Sequence, residues 1–156
     1  MDTREGAPIC RWILEDIVVD IMPTSARVLG FTNSWYAEAM AHATRRELEP
    51  GLSIRVVTPP YFIATKLEAF ADRGKGDFVA SHDLEDIIAV IDGHEALVDE
   101  VAASSGALRE YLAEQLGVLL QDDEFLAALP GHLAGDAASQ SRRPVILARM
   151  KALTHD

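Results

Sequence analysis

Apolar residues in the first part of the chain fall in short runs that predict strands. Residues 12–14 and 17–22 are apolar and rich in β-branched residues, and Glu15-Asp16 separates them, which is the pattern of a hairpin. Pro23 ends the second run because proline has no N–H to donate to a ladder. Residues 52–57, which follow a turn at Pro50-Gly51, predict a third strand.

Helical spacing governs most of the remaining sequence. Residues 35–46 are rich in helix formers and predict a short helix. A longer helix is predicted from Thr58-Pro59-Pro60 to about residue 73, because proline is tolerated in the first turn of a helix. Its apolar stripe consists of Ile63, Leu67 and Phe70.

A second amphipathic helix is predicted over residues 82–92, with Ser81 as its N-cap and Asp83 in its first turn. Glycines and prolines divide the rest into further helices, with Pro144 at the start of the last one and residues 131–143 as a linker. The sequence therefore predicts an α/β or α+β fold: about three strands, then a helical C-terminal part. The buried face of the second helix is predicted to contain Leu84, Ile87, Ile88 and Ile91.

Composition restricts the possible partners. The formal charge of −11 comes from 25 acidic and 14 basic residues, so the surface repels a phosphate backbone overall and excludes broad nucleic-acid binding. It leaves room for a local basic pocket or a specific nucleic-acid acceptor. No apolar stretch reaches membrane-spanning length, the first residues do not form a signal peptide, and Cys10 is the single cysteine. We therefore expect a cytoplasmic protein with no membrane partner.

Asp20 is the first candidate for chemistry, because it ends an apolar run in which Asp is unfavourable. It is either a metal ligand or general base at the strand end, or a solvated polar residue that caps the turn at Pro23.

Lys66 and Arg73 form the second candidate. They are seven residues apart, so they share one side of the predicted helix, with the small Ala69 between them. Two such cations can hold a triphosphate, although solvated side chains would have the same spacing.

Asp83 and Asp86 are three residues apart and share a face of the second helix. Such a pair can hold Mg²⁺, can anchor Lys66 and Arg73 through ion pairs, or can serve helix capping and solubility. The five histidines lack metal-ligand spacing, and the sequence contains no serine-nucleophile, Walker or dinucleotide-binding motif.

Three segments taken in order, VVDIMP, IRVVTPPYFIATKLEAFADRG and SHDLEDIIAVIDG, resemble the nucleotidyltransferase superfamily, in the branch that includes AbiEii-type toxins. The resemblance covers residues 7–101, and its most specific part is ATKLEAF followed by an arginine and DLED. It implies a nucleotidyltransferase-like α/β portion over residues 1–103 and a helical region over residues 104–156.

In that family three carboxylates hold two Mg²⁺ ions, which promote nucleotidyl transfer from a nucleoside triphosphate. By resemblance, Asp20 is the third carboxylate and metal ligand, and Lys66 is the helix lysine near the triphosphate. Arg73, Asp83 and Asp86 complete the implied nucleotide site. The Gly-Ser turn and the Asp-x-Asp pair of the family are not found in the sequence, which predicts a truncated domain with weak or no activity.

Three hypotheses follow. The chain is a Mg²⁺-dependent nucleotidyltransferase-like enzyme or its remnant, or a non-catalytic nucleotide- or partner-binding module on the same scaffold. In either case an open sheet edge would favour a homodimer or pairing with a partner chain. The third hypothesis is a helical interaction protein in which Lys66 and Arg73 point into solvent, far from Asp20.

Overall fold

The computed structural model describes residue 4, residues 6–73 and residues 76–154. It is an α+β protein, 56% helical, and its core is helical rather than a sheet. None of the helices in this part of the chain has the length and apolar character that crossing a bilayer requires. The strands are β1 Arg11–Leu14, β2 Ile17–Asp20, β3 Thr44–Glu49 and β4 Leu52–Val56. The helices are α1 Ala26–Leu29, α2 Tyr36–Ala41, α3 Pro59–Arg73, α4 His82–Gly93, α5 Leu97–Ala102, α6 Gly106–Gln121, α7 Asp123–Ala128, α8 Ala137–Gln140 and α9 Arg143–Leu153, with a 3-10 turn at Leu129–His132.

The strands of the described residues form two separate antiparallel hairpins. The β1–β2 hairpin is the predicted one, and Glu15 in its turn adopts φ +57°. The predicted third strand does not extend this sheet, because β4 pairs with β3 across the turn at Gly51. Both hairpins leave most of their side chains exposed.

The prediction of one helix over residues 35–46 is wrong in its second half. The helix α2 ends at Ala41, and Thr44–Glu49 is the strand β3. The arginines and glutamates of β3 favour a helix locally, but pairing with β4 satisfies their backbone groups and outweighs that preference. The Arg55 guanidinium of β4 donates to the carbonyls of Met40 and Ala41 at 2.7 and 3.3 Å, which ties the hairpin to the end of α2.

The core lies among α3 to α7 and α9. The two predicted amphipathic helices are confirmed: Ile63 and Leu67 of α3 are buried, and so is the predicted face of α4. Core residues before and after residue 103 belong to one cluster, and the division at that point stays a prediction. The fully buried side chains with the largest volumes are Phe125, Ile63, Leu84, Ile87, Ile88, Ile91, Leu97, Leu108, Leu112, Leu116, Leu129 and Ile146.

The segment predicted as a linker, residues 131–143, is ordered into local structure. Asp136 accepts hydrogen bonds from the N–H groups of Ala138 and Ser139 and so begins α8. The Gln140 amide donates to the carbonyls of Pro130 and Ala134, which folds the segment back on itself. The last helix, α9, has its proline in the first turn, as predicted.

Candidate functional site

Asp83, in the first turn of α4, holds two cations of α3. Its Oδ1 and Oδ2 accept hydrogen bonds from Arg73 Nη2 at 2.8 Å and from Arg73 Nε at 2.9 Å. Lys66 Nζ lies 3.2 Å from Asp83 Oδ1. The Asp83 side chain is only 7% exposed, so its charge is balanced by these two cations rather than by water.

Lys66 also binds a second carboxylate. Its Nζ lies 2.5 Å from Asp86 Oδ2 and 5.6 Å from the centre of the Phe62 ring. Four predicted site residues are thus joined by ion pairs, and we call Lys66, Arg73, Asp83 and Asp86 the Asp83 cluster. The cluster realises the predicted anchoring of the two cations by the two carboxylates.

Local sequence explains why α4 presents its carboxylate here. Ser81 adopts extended dihedrals and its Oγ accepts from the Leu84 N–H, so the helix begins directly after it. This places Asp83 in the first turn, where the helix dipole favours a negative charge. Asp77 accepts from the N–H groups of Val79 and Ala80, which shapes the turn that leads into α4 and lowers the pKa of Asp77.

The ionisation of the cluster follows from these contacts. Burial raises the pKa of Asp83, but hydrogen bonds from Arg73 and Lys66 outweigh it, and the net pKa lies below the ordinary value. Burial lowers the pKa of Lys66, and hydrogen bonds to Asp86 and Asp83 outweigh it, so that its net pKa is raised. The contacts therefore favour the charged forms of Asp83 and Lys66.

Arg73 borders two open cavities. One of about 680 Å³ lies between α3 and the segment of residues 22–36, and Tyr36 and Asp72 contribute to its wall. The other, of about 380 Å³, is lined by Asp77, His82 and Asp83. Because the Arg73 side chain is 69% exposed, an anion in either cavity can approach the guanidinium without unfolding α3.

Asp20 lies outside the Asp83 cluster. It pairs across the hairpin with Arg11, whose Nε and Nη2 each lie 2.8 Å from one of its oxygens. Both oxygens accept from the guanidinium, so a metal ion at Asp20 would compete with Arg11 for the carboxylate. Within the described residues no group of three His, Cys, Asp or Glu side chains is arranged to hold a metal. Asp20 is thus paired with Arg11 in this structure, and its role as a metal ligand stays a prediction.

Sequence reasoning missed two polar groupings. The buried Asn33 donates from Nδ2 to the Thr65 carbonyl at 2.8 Å, and Glu68 accepts from the Ser34 N–H at 2.6 Å and from the Ser34 hydroxyl. The second grouping lines a cavity at the start of α3 and consists of His42, Arg46, His94 and Glu100. Its members are far apart in sequence and show no metal or catalytic spacing, so no sequence signal could have identified them.

Comparison of the chain with protein-family models, with curated proteins and with solved structures finds no match. The nucleotidyltransferase resemblance therefore stays a prediction that rests on the ordered motifs themselves. Chemically, the Asp83 cluster can exchange an arginine–carboxylate pair for an arginine–phosphate pair, because the guanidinium geometry suits both anions.

Proposed function

We propose that the chain is a nucleotidyltransferase-like protein that binds a nucleoside triphosphate at the Asp83 cluster. The observation that supports this proposal is the meeting of Lys66, Arg73, Asp83 and Asp86 in one ion-paired group. The ordered motifs imply these four residues for a nucleotide site. A cytoplasmic location belongs to the proposal, on the ground of the single cysteine.

Arg73 is the cation best suited to receive a phosphate. It is the more exposed of the two cations, and it can turn from Asp83 towards either bordering cavity. Lys66 is held by two carboxylates and would keep Asp83 neutralised when Arg73 leaves. Because both cations start out paired, nucleotide binding replaces ion pairs rather than adding them, and we expect a weak affinity.

Mg²⁺ enters this proposal as part of the substrate, the magnesium complex of the triphosphate. Such a complex carries its ion on phosphate oxygens and water, with one or two carboxylates at most. Transfer of the nucleotidyl group to an acceptor, whether a protein or a specific nucleic acid, would be weak or absent in this chain. The sequence holds Asp20 as one carboxylate of the implied three, and Arg11 engages it.

The test measures binding and transfer separately. Isothermal titration with each of the four nucleoside triphosphates and Mg²⁺ gives binding, and incubation with α-labelled nucleotides plus RNA or protein acceptors gives transfer. We expect Lys66→Met and Arg73→Met each to weaken triphosphate binding about tenfold, the effect of losing one charged hydrogen-bonding group. Where the wild type transfers label, Asp20→Ala should abolish transfer.

Arg142→Met is the matched control, because Arg142 also binds a carboxylate with its guanidinium, that of Asp92 at 2.7 and 2.8 Å, on another face of α4. It should bind triphosphate as the wild type does. Absence of triphosphate binding by the wild-type protein, or equal binding by the Arg73 and Arg142 variants, would refute the proposed site.

A second candidate function is a non-catalytic module that binds a nucleotide or a partner chain. The exposed apolar hairpin favours it, because Leu14, Ile17 and Val18 project from a two-stranded sheet that is marginal in water by itself. Pairing of an open hairpin edge with a second copy would cover these residues. Light scattering after size exclusion should then show a dimer, and nucleotide binding should persist in Asp20→Ala. A monomer at high concentration would exclude the homodimer.

A further inference from the structure

We propose that the cavity at the start of α3 is a second binding site, which takes a small planar aromatic ring joined to an acidic group, the chemistry of a nucleoside monophosphate. His42 would stack on the ring, Arg46 would bind the acidic group, and Glu100 would accept a hydrogen bond from an amino group of the ring. The inference does not depend on the Asp83 cluster.

The cavity has the size and lining of a ligand site. It encloses about 650 Å³ between the β3–β4 hairpin, the start of α3 and the turn between α5 and α6. Small-molecule sites commonly range from about 300 to 1,000 Å³ and combine apolar walls with a few convergent polar groups. Here the apolar wall comes from Val57, Pro59 and Pro60, and the hydroxyls of Thr58 and Ser104 add polar atoms.

His42 supplies a stacking surface. Its ring lies parallel to the buried Tyr61 ring, with centroids 4.9 Å apart and an angle of 18°. Its Nδ1 is 3.0 Å from the Glu38 carbonyl, and since a carbonyl oxygen only accepts, Nδ1 carries a proton and the ring is oriented. The His42 side chain is 55% exposed, so the face away from Tyr61 is available to a second ring.

Arg46 supplies the positive charge. It lies on β3 and lines the cavity, and its side chain forms no hydrogen bond or ion pair with any described residue. Its neighbour Arg45 donates to Ser53 Oγ at 2.6 Å, and Arg55 donates to backbone carbonyls. In a chain with a net charge of −11, an arginine without a carboxylate partner at a cavity wall attracts an anionic ligand.

His94 and Glu100 supply unused hydrogen-bonding capacity. His94 Nε2 lies 2.9 Å from Glu100 Oε1, but the two groups are not aligned as a hydrogen bond. Neither His94 Nε2 nor Glu100 Oε2 has a hydrogen-bond partner in the described part of the chain, although both atoms are closed to solvent. Rotation about the broad terminal torsion of Glu100 would turn a carboxylate oxygen to a ligand N–H.

The site is separate from the Asp83 cluster. Tyr61 and Arg73 lie at opposite ends of α3, about 18 Å apart along a helix of this rise. Pro59 and Pro60 have no N–H, so the start of α3 offers little for an anion and the side chain of Arg46 must provide the recognition. A ligand with a negative group at one end and an N–H donor at the other matches Arg46 and Glu100.

The experiment uses adenosine monophosphate as the probe, with binding measured by isothermal titration or by NMR shifts. We expect the whole protein to bind it, and to bind adenosine and purine riboside monophosphate each about tenfold more weakly, since each lacks one recognised group. Ribose 5-phosphate lacks both the ring and its amino group and should bind more weakly still. Arg46→Ala should weaken binding about tenfold and abolish the preference over adenosine. Glu100→Met, which removes the acceptor, should abolish the preference over purine riboside monophosphate.

Controls separate this site from folding effects and from the proposed function. Arg45 on the same strand and Glu95 just before α5 do not line the cavity, so Arg45→Ala and Glu95→Met should leave binding unchanged, as should Lys66→Met. Thermal melting reports the folding of every variant. Absence of adenosine monophosphate binding to the wild type, or equal binding by the Arg46 and Arg45 variants, would overturn the proposal, whatever triphosphate does at Lys66.

Discussion

Asp83→Asn tests whether the Asp83 cluster joins α3 to α4. The substitution keeps the shape of the side chain and removes its charge. A charged hydrogen bond contributes about 1.5–3 kcal/mol to stability. The exposed Arg73 is hydrated again when it loses Asp83, so the Arg73–Asp83 interaction contributes less than about 1 kcal/mol. Lys66 is only 24% exposed, so loss of its hydrogen bond to Asp83 should cost about 1.5–2 kcal/mol even though it keeps Asp86. We therefore expect the free energy of unfolding to fall by about 2–3 kcal/mol.

Urea denaturation followed by circular dichroism at pH 7 measures this change, and thermal melting should show a midpoint about 5–10 °C lower. Glu85→Gln is the control in the same helix turn, because the exposed Glu85 pairs with the exposed His82, and it should cost less than about 0.5 kcal/mol. Equal stabilities of the Asp83 and Glu85 variants would refute the structural role of the cluster.

The pH dependence of the same variant provides a second measurement. The pKa of Asp83 is lower in the folded state than its ordinary value, so the stabilisation is complete above the unfolded pKa of about 3.9. It is lost as the pH falls through the lower folded pKa. The difference in unfolding free energy between wild type and Asp83→Asn should therefore disappear in acid. A difference that stayed constant from pH 7 to below pH 3 would contradict this assignment.

Three further predictions concern the core, the titration of Tyr111 and the β1–β2 hairpin. Leu116→Ala should lower the free energy of unfolding by about 2–5 kcal/mol in urea denaturation, because Leu116 is fully buried, whereas the exposed Val118→Ala should cost little. Burial and then the Glu68 charge raise the pKa of Tyr111 to about 12, so Tyr111→Phe should remove a step near pH 12 from the alkaline absorbance titration; loss of a step near pH 10 would contradict the burial. Glu15→Gly should raise the thermal midpoint, since it relieves a side chain held at φ +57°, and a lower midpoint would argue against strain.

The helices were the most predictable part of the chain, because local signals and packing agree in them. Ser81 caps α4 as its sequence position predicts, and Ile63 and Leu67 face the core as their spacing predicts. The strand β3 was not predictable in this way, because its stability comes from pairing with β4 rather than from residues such as Arg46 and Glu47. A single sequence does not contain that pairing energy in any local pattern.

The sequence predicted which residues form the candidate site, but not how these residues contact one another. Spacing placed Lys66 and Arg73 on one side of α3, and it left open whether they pair with Asp83 or point into solvent. Their pairing depends on the angle at which α4 crosses α3, which tertiary packing sets. The partner of Asp20 was unpredictable for a similar reason, because the hairpin register decides that Arg11 faces it.

The helix α4 is held by charged side chains of other helices at both ends. Arg73 and Lys66 bind Asp83 at its beginning, and Arg149 donates to the carbonyls of Ile91 and Asp92 at its end, at 2.8 and 2.5 Å. Helix ends normally open first, and their amides exchange with deuterium faster than those of the middle turns. In α4 the terminal turns should exchange almost as slowly as the centre, so that the helix opens as one unit with its neighbours.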